Sequence, residues 1–188
     1  FKLPKEDINL KPFMNRPPEF NLKHVMMRTD RAYKCEIVNI IELTAQEKLF
    51  HLKIIDPNER EIFSFRPGQF LMLRLAGVND PLIGRALALY DTVWTAGAPW
   101  GIDVVYLAKG KFTRRLAECL PGTRLTVWGP LGNGFPAAPT AEHLIMVAGG
   151  IGQTPFLALA AESLGRRQYG DPPRSVAPAN RVTLCYGA

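Results

Sequence analysis

Residues 143–155 read His143-Leu144-Ile145-Met146-Val147-Ala148-Gly149-Gly150-Ile151-Gly152-Gln153-Thr154-Pro155. The unbroken apolar run from Leu144 to Ala148 suits a strand buried on both faces. Gly149, Gly150 and Gly152 let the backbone turn tightly and come close to a pyrophosphate. Thr154 predicts a helix N-cap, Pro155 sits in the first turn, and Gly165 closes the helix. A helix start presents free N–H groups and partial positive charge, which suits a phosphate. Pro155 stands where the usual dinucleotide fingerprint has its third glycine, so the motif is a relative of that fingerprint. A purely structural strand-to-helix turn is the other reading. After a polar, Pro-rich loop over 166–180, Arg181–Tyr186 forms a second apolar run. Strand, helix, strand make one parallel crossover unit. Two parallel strands are fewer than a doubly wound nucleotide domain uses. The lobe is therefore expected to be incomplete, either as a fragment or with its sheet finished by a partner.

Outward from this unit the texture differs. Tyr33–Leu43, Leu49–Ile55, Phe70–Leu75, Arg85–Tyr90, Ile102–Ala108 and Arg124–Trp128 are short apolar or alternating runs. Turn signals at Asp56-Pro57-Asn58 and Arg66-Pro67-Gly68-Gln69 separate them. Short strands at close spacing predict a small antiparallel barrel. The expected architecture is thus an antiparallel β-barrel followed by an incomplete α/β lobe. The boundaries are a basic extended arm over 1–32, a barrel over 33–136 and the start of an α/β domain over 137–188.

Two further segments carry chemistry. Gly110-Lys111-Phe112-Thr113 follows a strand and opens a helix expected over Arg114–Leu120, with Thr113 as its cap and a hydroxyl donor to phosphate. Arg114 and Arg115 in its first turn are unfavourable unless an anion lies nearby, or else are solvated surface charges. Gly84-Arg85-Ala86-Leu87-Ala88 places one Arg at the opening of an apolar strand, as a ligand contact or a surface charge.

The 188 residues contain 23 Lys and Arg against 17 Asp and Glu, a net charge of +6. Residues 1–34 hold eight basic and four acidic side chains, so +4 of that excess lies in the arm. No nucleic-acid reading motif accompanies it, and nucleic acid is not an expected partner. Cys35, Cys119 and Cys185 are odd in number and far apart, as are His24, His51 and His143. That predicts a reducing, cytoplasmic setting and no metal centre. The stretch 143–161 lacks charge, but its central glycines, Gln153, Thr154 and Pro155 argue against a membrane span.

Taken in order, Pro67-Gly68-Gln69-Phe70, the Arg85 strand, Gly110–Thr113, Gly129-Pro130-Leu131-Gly132-Asn133-Gly134-Phe135, Gly149–Pro155 and Leu184-Cys185-Tyr186-Gly187-Ala188 resemble the ferredoxin–NADP reductase superfamily. Within it the Gly129–Phe135 segment looks most like the electron-transfer subunits of class B dihydroorotate dehydrogenases. The resemblance implies a flavin-binding barrel, an NAD(P)-binding lobe, and the cofactors FAD and NAD(P). It implies electron transfer on behalf of an FMN-containing dihydroorotate dehydrogenase catalytic subunit, in a hetero-oligomer serving pyrimidine biosynthesis. A [2Fe-2S] cluster is expected only in a segment beyond residue 188, because clusters need closely spaced thiolates.

By the same resemblance Arg85 contacts FAD, and Ala86, Leu87 and Ala88 run beside the isoalloxazine. Val105, Tyr106 and Leu107 line the following strand. Gly110, Phe112 and Thr113 meet the pyrophosphate. Gly149, Gly150, Gly152, Thr154 and Pro155 form the NAD loop, and Cys185, Tyr186 and Gly187 the next nicotinamide-side strand. No side chain is expected to act as a general acid or base. Ala88 replaces a family Ser or Thr that hydrogen-bonds near flavin N5, and Leu107 replaces a common basic residue. A hydrogenase- or sulfhydrogenase-type subunit remains an alternative, as does a non-catalytic scaffold with a decayed flavin site.

Overall fold

A computed structural model describes residues 31–81, 83–95, 98–137 and 142–187. The expected arm over 1–32 lies outside the described residues except for its last two, and Ala32 already belongs to a strand. Seven strands form one antiparallel sheet: β1 (Ala32–Glu42), β2 (Glu47–Ile54), β3 (Phe70–Leu75), β4 (Arg85–Ala88), β5 (Asp91–Thr95), β6 (Ala98–Leu107) and β7 (Arg124–Leu131). Their spatial order is β4-β3-β7-β1-β2-β6-β5.

That order explains the closed shape. β4 and β5 lie at opposite edges of the sheet, yet only Leu89 and Tyr90 separate them in sequence. Leu89 N–H donates to the Gln69 carbonyl beside one edge and Tyr90 N–H to the Asp103 carbonyl beside the other, at 3.1 and 3.0 Å. A two-residue link can join the edges only if the sheet rolls up. The period-two alternation puts Leu71, Leu73 and Leu75 inside, with Cys35, Ile37, Leu52, Ile54, Ile102 and Val104 facing them. Burial pushes the Cys35 thiol up to about 12, as an apolar interior does to any thiolate, with a smaller contribution from Glu59.

The Arg66-Pro67-Gly68-Gln69 turn closes through Gln69 N–H to the Arg66 carbonyl at 3.1 Å. Gly68 takes φ +91°, the left-handed value that the third position of such a turn requires. A side chain there would also meet the Phe135 ring at 2.7 Å.

Three expectations need correction. Asp56-Pro57-Asn58 is not only a turn: it starts α1 (Pro57–Ile62), where the Asp56 carboxylate accepts from Asn58 N–H and Pro57 occupies the first turn. The helix expected over 114–120 is α2 (Lys111–Ala117), capped at Gly110 rather than Thr113. The strand β5 was not expected, and β6 begins four residues earlier than Ile102.

The remaining elements are β8 (His143–Gly149), a 3-10 turn over Gly150–Gln153, α3 (Phe156–Ser163) and β9 (Arg181–Gly187). β8 and β9 pair in parallel from His143↔Arg181 to Gly149↔Gly187, so the expected crossover unit is present. Gly165 ends α3 as expected: its N–H bonds Glu162 and that of Arg166 bonds Ala161, both at 2.9 Å. Thr154, however, does not cap α3. Pro155 stands at that position and no side chain accepts there.

Candidate functional site

Among the described residues β4 is an edge strand bonded to β3 alone, so one row of its backbone groups is left for a ligand. Its register is Arg85↔Leu73, Ala86↔Met72, Leu87↔Leu71 and Ala88↔Phe70. Ala86 and Ala88 therefore share the outer face with Met72 and Phe70, while Leu87 turns toward the core. Arg85 is exposed at the strand's start.

Contacts run from both ends of this strand toward two glycine corners. At the Arg85 end, Lys111 at the start of α2 pairs with Asp80, in the loop that feeds β4, at 2.5 Å. At the Ala88 end, the Phe70 ring lies against Gly132, whose Cβ would meet it at 3.1 Å. Gln69 Nε2 donates to the Gly132 carbonyl at 2.7 Å, and Phe135 N–H to the Pro67 carbonyl at 2.7 Å. The Phe135 ring then packs on Phe156, the first residue of α3, with centroids 5.8 Å apart. This chain of contacts ties the Gly149–Gly152 corner, just before α3, to the barrel end that carries Ala88.

The corner itself is open. Gly150 has φ +52°, and a Cβ added at Gly150, Gly152 or Gly187 would meet nothing within 4 Å among the described residues. Cys185 is exposed beside them on β9. Space and free backbone at a strand-to-helix turn are what a phosphate-bearing ligand requires.

Several predicted site residues are placed differently. Thr113 Oγ1 accepts from Lys109 and Gly110 N–H at 3.1 and 2.9 Å and donates to the Gly110 carbonyl at 3.2 Å. In this arrangement its hydroxyl proton faces the Gly110 carbonyl. Phe112 is buried in the core. Tyr106 points inward, edge-to-face with Phe50 at 5.1 Å, and is 1% exposed. Thr154 is buried as well. Val105 is buried, whereas Leu107 is half-buried near the end of β6. The side chains of Phe112, Thr113 and Tyr106 are thus turned away from the surface.

Sequence reasoning passed over a polar cluster at the β5–β6 wall. Asp91 and Asp103 are partners across the two strands, and His51 Nδ1 meets the Asp103 carboxylate. Burial raises the Asp103 carboxyl above its ordinary value; contact with His51 lowers it less, Asp91 adds to the rise, and Arg167 opposes it. Tyr90, beside both carboxylates, is raised by burial and then by their charges. The signal in the sequence was weak, since single Asp residues inside strands carry no motif.

A β-barrel with a parallel β-α-β unit held at its open edge defines a reductase-type cofactor module. The model of the oxidoreductase FAD-binding domain family matches residues 34–135. The chain belongs to that family, within the ferredoxin–NADP reductase superfamily. It is 40% identical over 99 residues to the dihydroorotate dehydrogenase B (NAD(+)) electron transfer subunit of Bacillus caldolyticus, covering 52% of this chain and 37% of that one. It is 29% identical over 144 residues to the sulfhydrogenase 2 subunit gamma of Pyrococcus furiosus, covering 76% of this chain and 47% of that one. The cytochrome b5 reductase domain of Ulva prolifera nitrate reductase shares the fold, with TM-score 0.62 at 17% identity over 85% of this chain and 63% of that one. The chain spans half or less of the length of these two curated relatives.

Proposed function

We propose that the chain is part of a flavoprotein electron-transfer subunit that passes electrons between FAD and NAD for a partner dehydrogenase. The observation that carries this is the open glycine corner held by Phe135 and Phe156 at the barrel end where β4 presents Ala88. Arg85 is exposed and makes no ion pair among the described residues, which leaves its guanidinium for a cofactor phosphate. The short side chains of Ala86 and Ala88 leave a flat floor for a planar ring. The free edge of β4 offers donors and acceptors for that ring's polar rim. The start of α2 contributes backbone N–H groups, with Thr113 holding Gly110 in place. Gly149, Gly150 and Gly152 hold the dinucleotide. Bound FAD supplies the redox chemistry, and the protein supplies position and exclusion of water.

The 40% identity to an electron transfer subunit supports dihydroorotate oxidation as the partner's reaction. The longer match to a sulfhydrogenase subunit supports a hydrogenase-side partner as the second reading. The domain boundaries are proposed to fall near residues 136–137.

Purified protein should carry a flavin absorbance near roughly 450 nm, the cofactor's own chromophore. Gly152→Leu adds bulk where nothing stands within 4 Å, so the fold should tolerate it. It should weaken NADH binding at least about tenfold in a titration, since the bulk excludes the ligand's backbone approach, while the flavin is retained. Loss of both ligands together, or of neither, would overturn the assignment.

A further inference from the structure

Arg167, in the loop after α3, lies 76 positions from Asp91, which opens β5 on the barrel. Its Nη1 donates to both Asp91 oxygens, at 2.7 and 2.6 Å. It also reaches the Thr92 carbonyl at 3.4 Å. The Tyr169 hydroxyl donates to Asp91 Oδ1 at 3.1 Å. The Tyr169 ring is 4% exposed and stands edge-on to Phe65 at 5.1 Å. One carboxylate on the barrel thus gathers two donors from the same three-residue stretch of the other unit. Burial alone would lower the Arg167 guanidinium, and Asp91 and Tyr169 together outweigh it, so the cation is held. A second tie lies further along the same loop. Arg174 Nε and Nη2 bind the buried Glu162 carboxylate at 2.8 and 2.5 Å, and its Nη1 donates to the Phe135 carbonyl at 2.5 Å.

We propose that Asp91 and Arg167 form a positioning latch that sets the β8–α3–β9 unit on the barrel wall and thereby aims the Gly149–Gly152 corner along β4. The geometry suits this role better than simple stabilisation. A partly exposed pair contributes little to global stability, but two donors, Arg167 and Tyr169, meeting one barrel carboxylate constrain how the loop sits on the wall. The mechanical part stands on its own; only its kinetic consequence rests on the proposed function.

The test is hydrogen exchange on the full chain for wild type, Asp91→Asn, Arg167→Ala and the double variant. Each single change should speed exchange in residues 164–174 by about tenfold and leave the barrel strands unchanged, and the double variant should add nothing further. Arg167→Lys should restore most of the protection. Unchanged exchange in the single variants, or effects that multiply in the double, would overturn the latch. In flavin-loaded protein, both single variants should lower the limiting rate of flavin reduction by NADH about tenfold, with flavin content and half-saturation kept. An unchanged rate beside faster exchange would overturn the positioning role. If the protein takes up no flavin, the proposed function fails and the exchange result still decides the latch.

Discussion

Among the described residues the buried Tyr106 hydroxyl has no hydrogen-bond partner, an uncommon state for a phenol in a folded interior. Burial pushes its pKa well above the ordinary tyrosine range, and the neighbouring Cys119 adds to the rise. The family resemblance implies that Tyr106 contacts a cofactor, and strand alternation turns its side chain inward. Ile102, Val104 and Tyr106 share the inward face of β6, and a pattern of apolar residues on both faces hid that parity. Tyr106→Phe removes a desolvated oxygen and keeps the Phe50 ring contact. It should stabilise the fold by about 1 kcal/mol, read as a higher urea midpoint with the slope unchanged. A loss of stability would mean that the hydroxyl has a partner in solution. Thr113 teaches the same lesson from the other side. Its place after Gly110 was legible, but which way its hydroxyl turns depends on the Lys109 and Gly110 amides it accepts from and on the Gly110 carbonyl, which competes with a ligand for its proton.

At the level of elements, the short strands and the β8–α3–β9 unit could be read from apolar runs and breakers. What escaped were segments whose residues spell two structures at once. Asp56-Pro57-Asn58 is a turn signal and equally a helix start; in the fold the helix leads into the buried Phe63 and Phe65, and Arg60 on it bonds the Ile54 and Ile55 carbonyls. The run read over Arg85–Tyr90 covers β4 and the Leu89–Tyr90 link, while β5 begins at Asp91, a charged residue that breaks the apolar pattern. β6 crosses the middle of the wall at Gly101, paired with Lys53 on one side and Val93 on the other. There a Cβ would stand 2.2 Å from the Leu52 carbonyl oxygen, a contact only backbone movement relieves. Gly101→Ala should destabilise by about 3 kcal/mol, at the upper end of overpacking costs. Calorimetry would measure it, and a change within about 0.5 kcal/mol, the scatter of neutral surface substitutions, would contradict the close approach.

For the molecule as a whole, the polar wall makes stability depend on pH in a direction set by Asp103. Its folded-state pKa lies above the ordinary value because burial outweighs the help of His51. The fold therefore binds this proton more tightly than the unfolded chain does. The contribution of this group grows as pH falls from neutral through the raised value, and it is complete below the ordinary carboxylate range. Asp103→Asn removes the buried charge at neutral pH, so the difference in stability between variant and wild type should favour the variant more at pH 7 than at pH 5. Urea titrations at the two values would show it. A difference that stayed constant, or grew on the acid side, would place the effect elsewhere.

The Leu89–Tyr90 corner has a mechanical consequence. Because two residues bridge the sheet's outermost strands, that link behaves as the clasp of a hoop. Lengthening it by a few flexible residues should let the cylinder spring open along a seam between β4 and β5. The wall would then lose its curvature without losing any single strand.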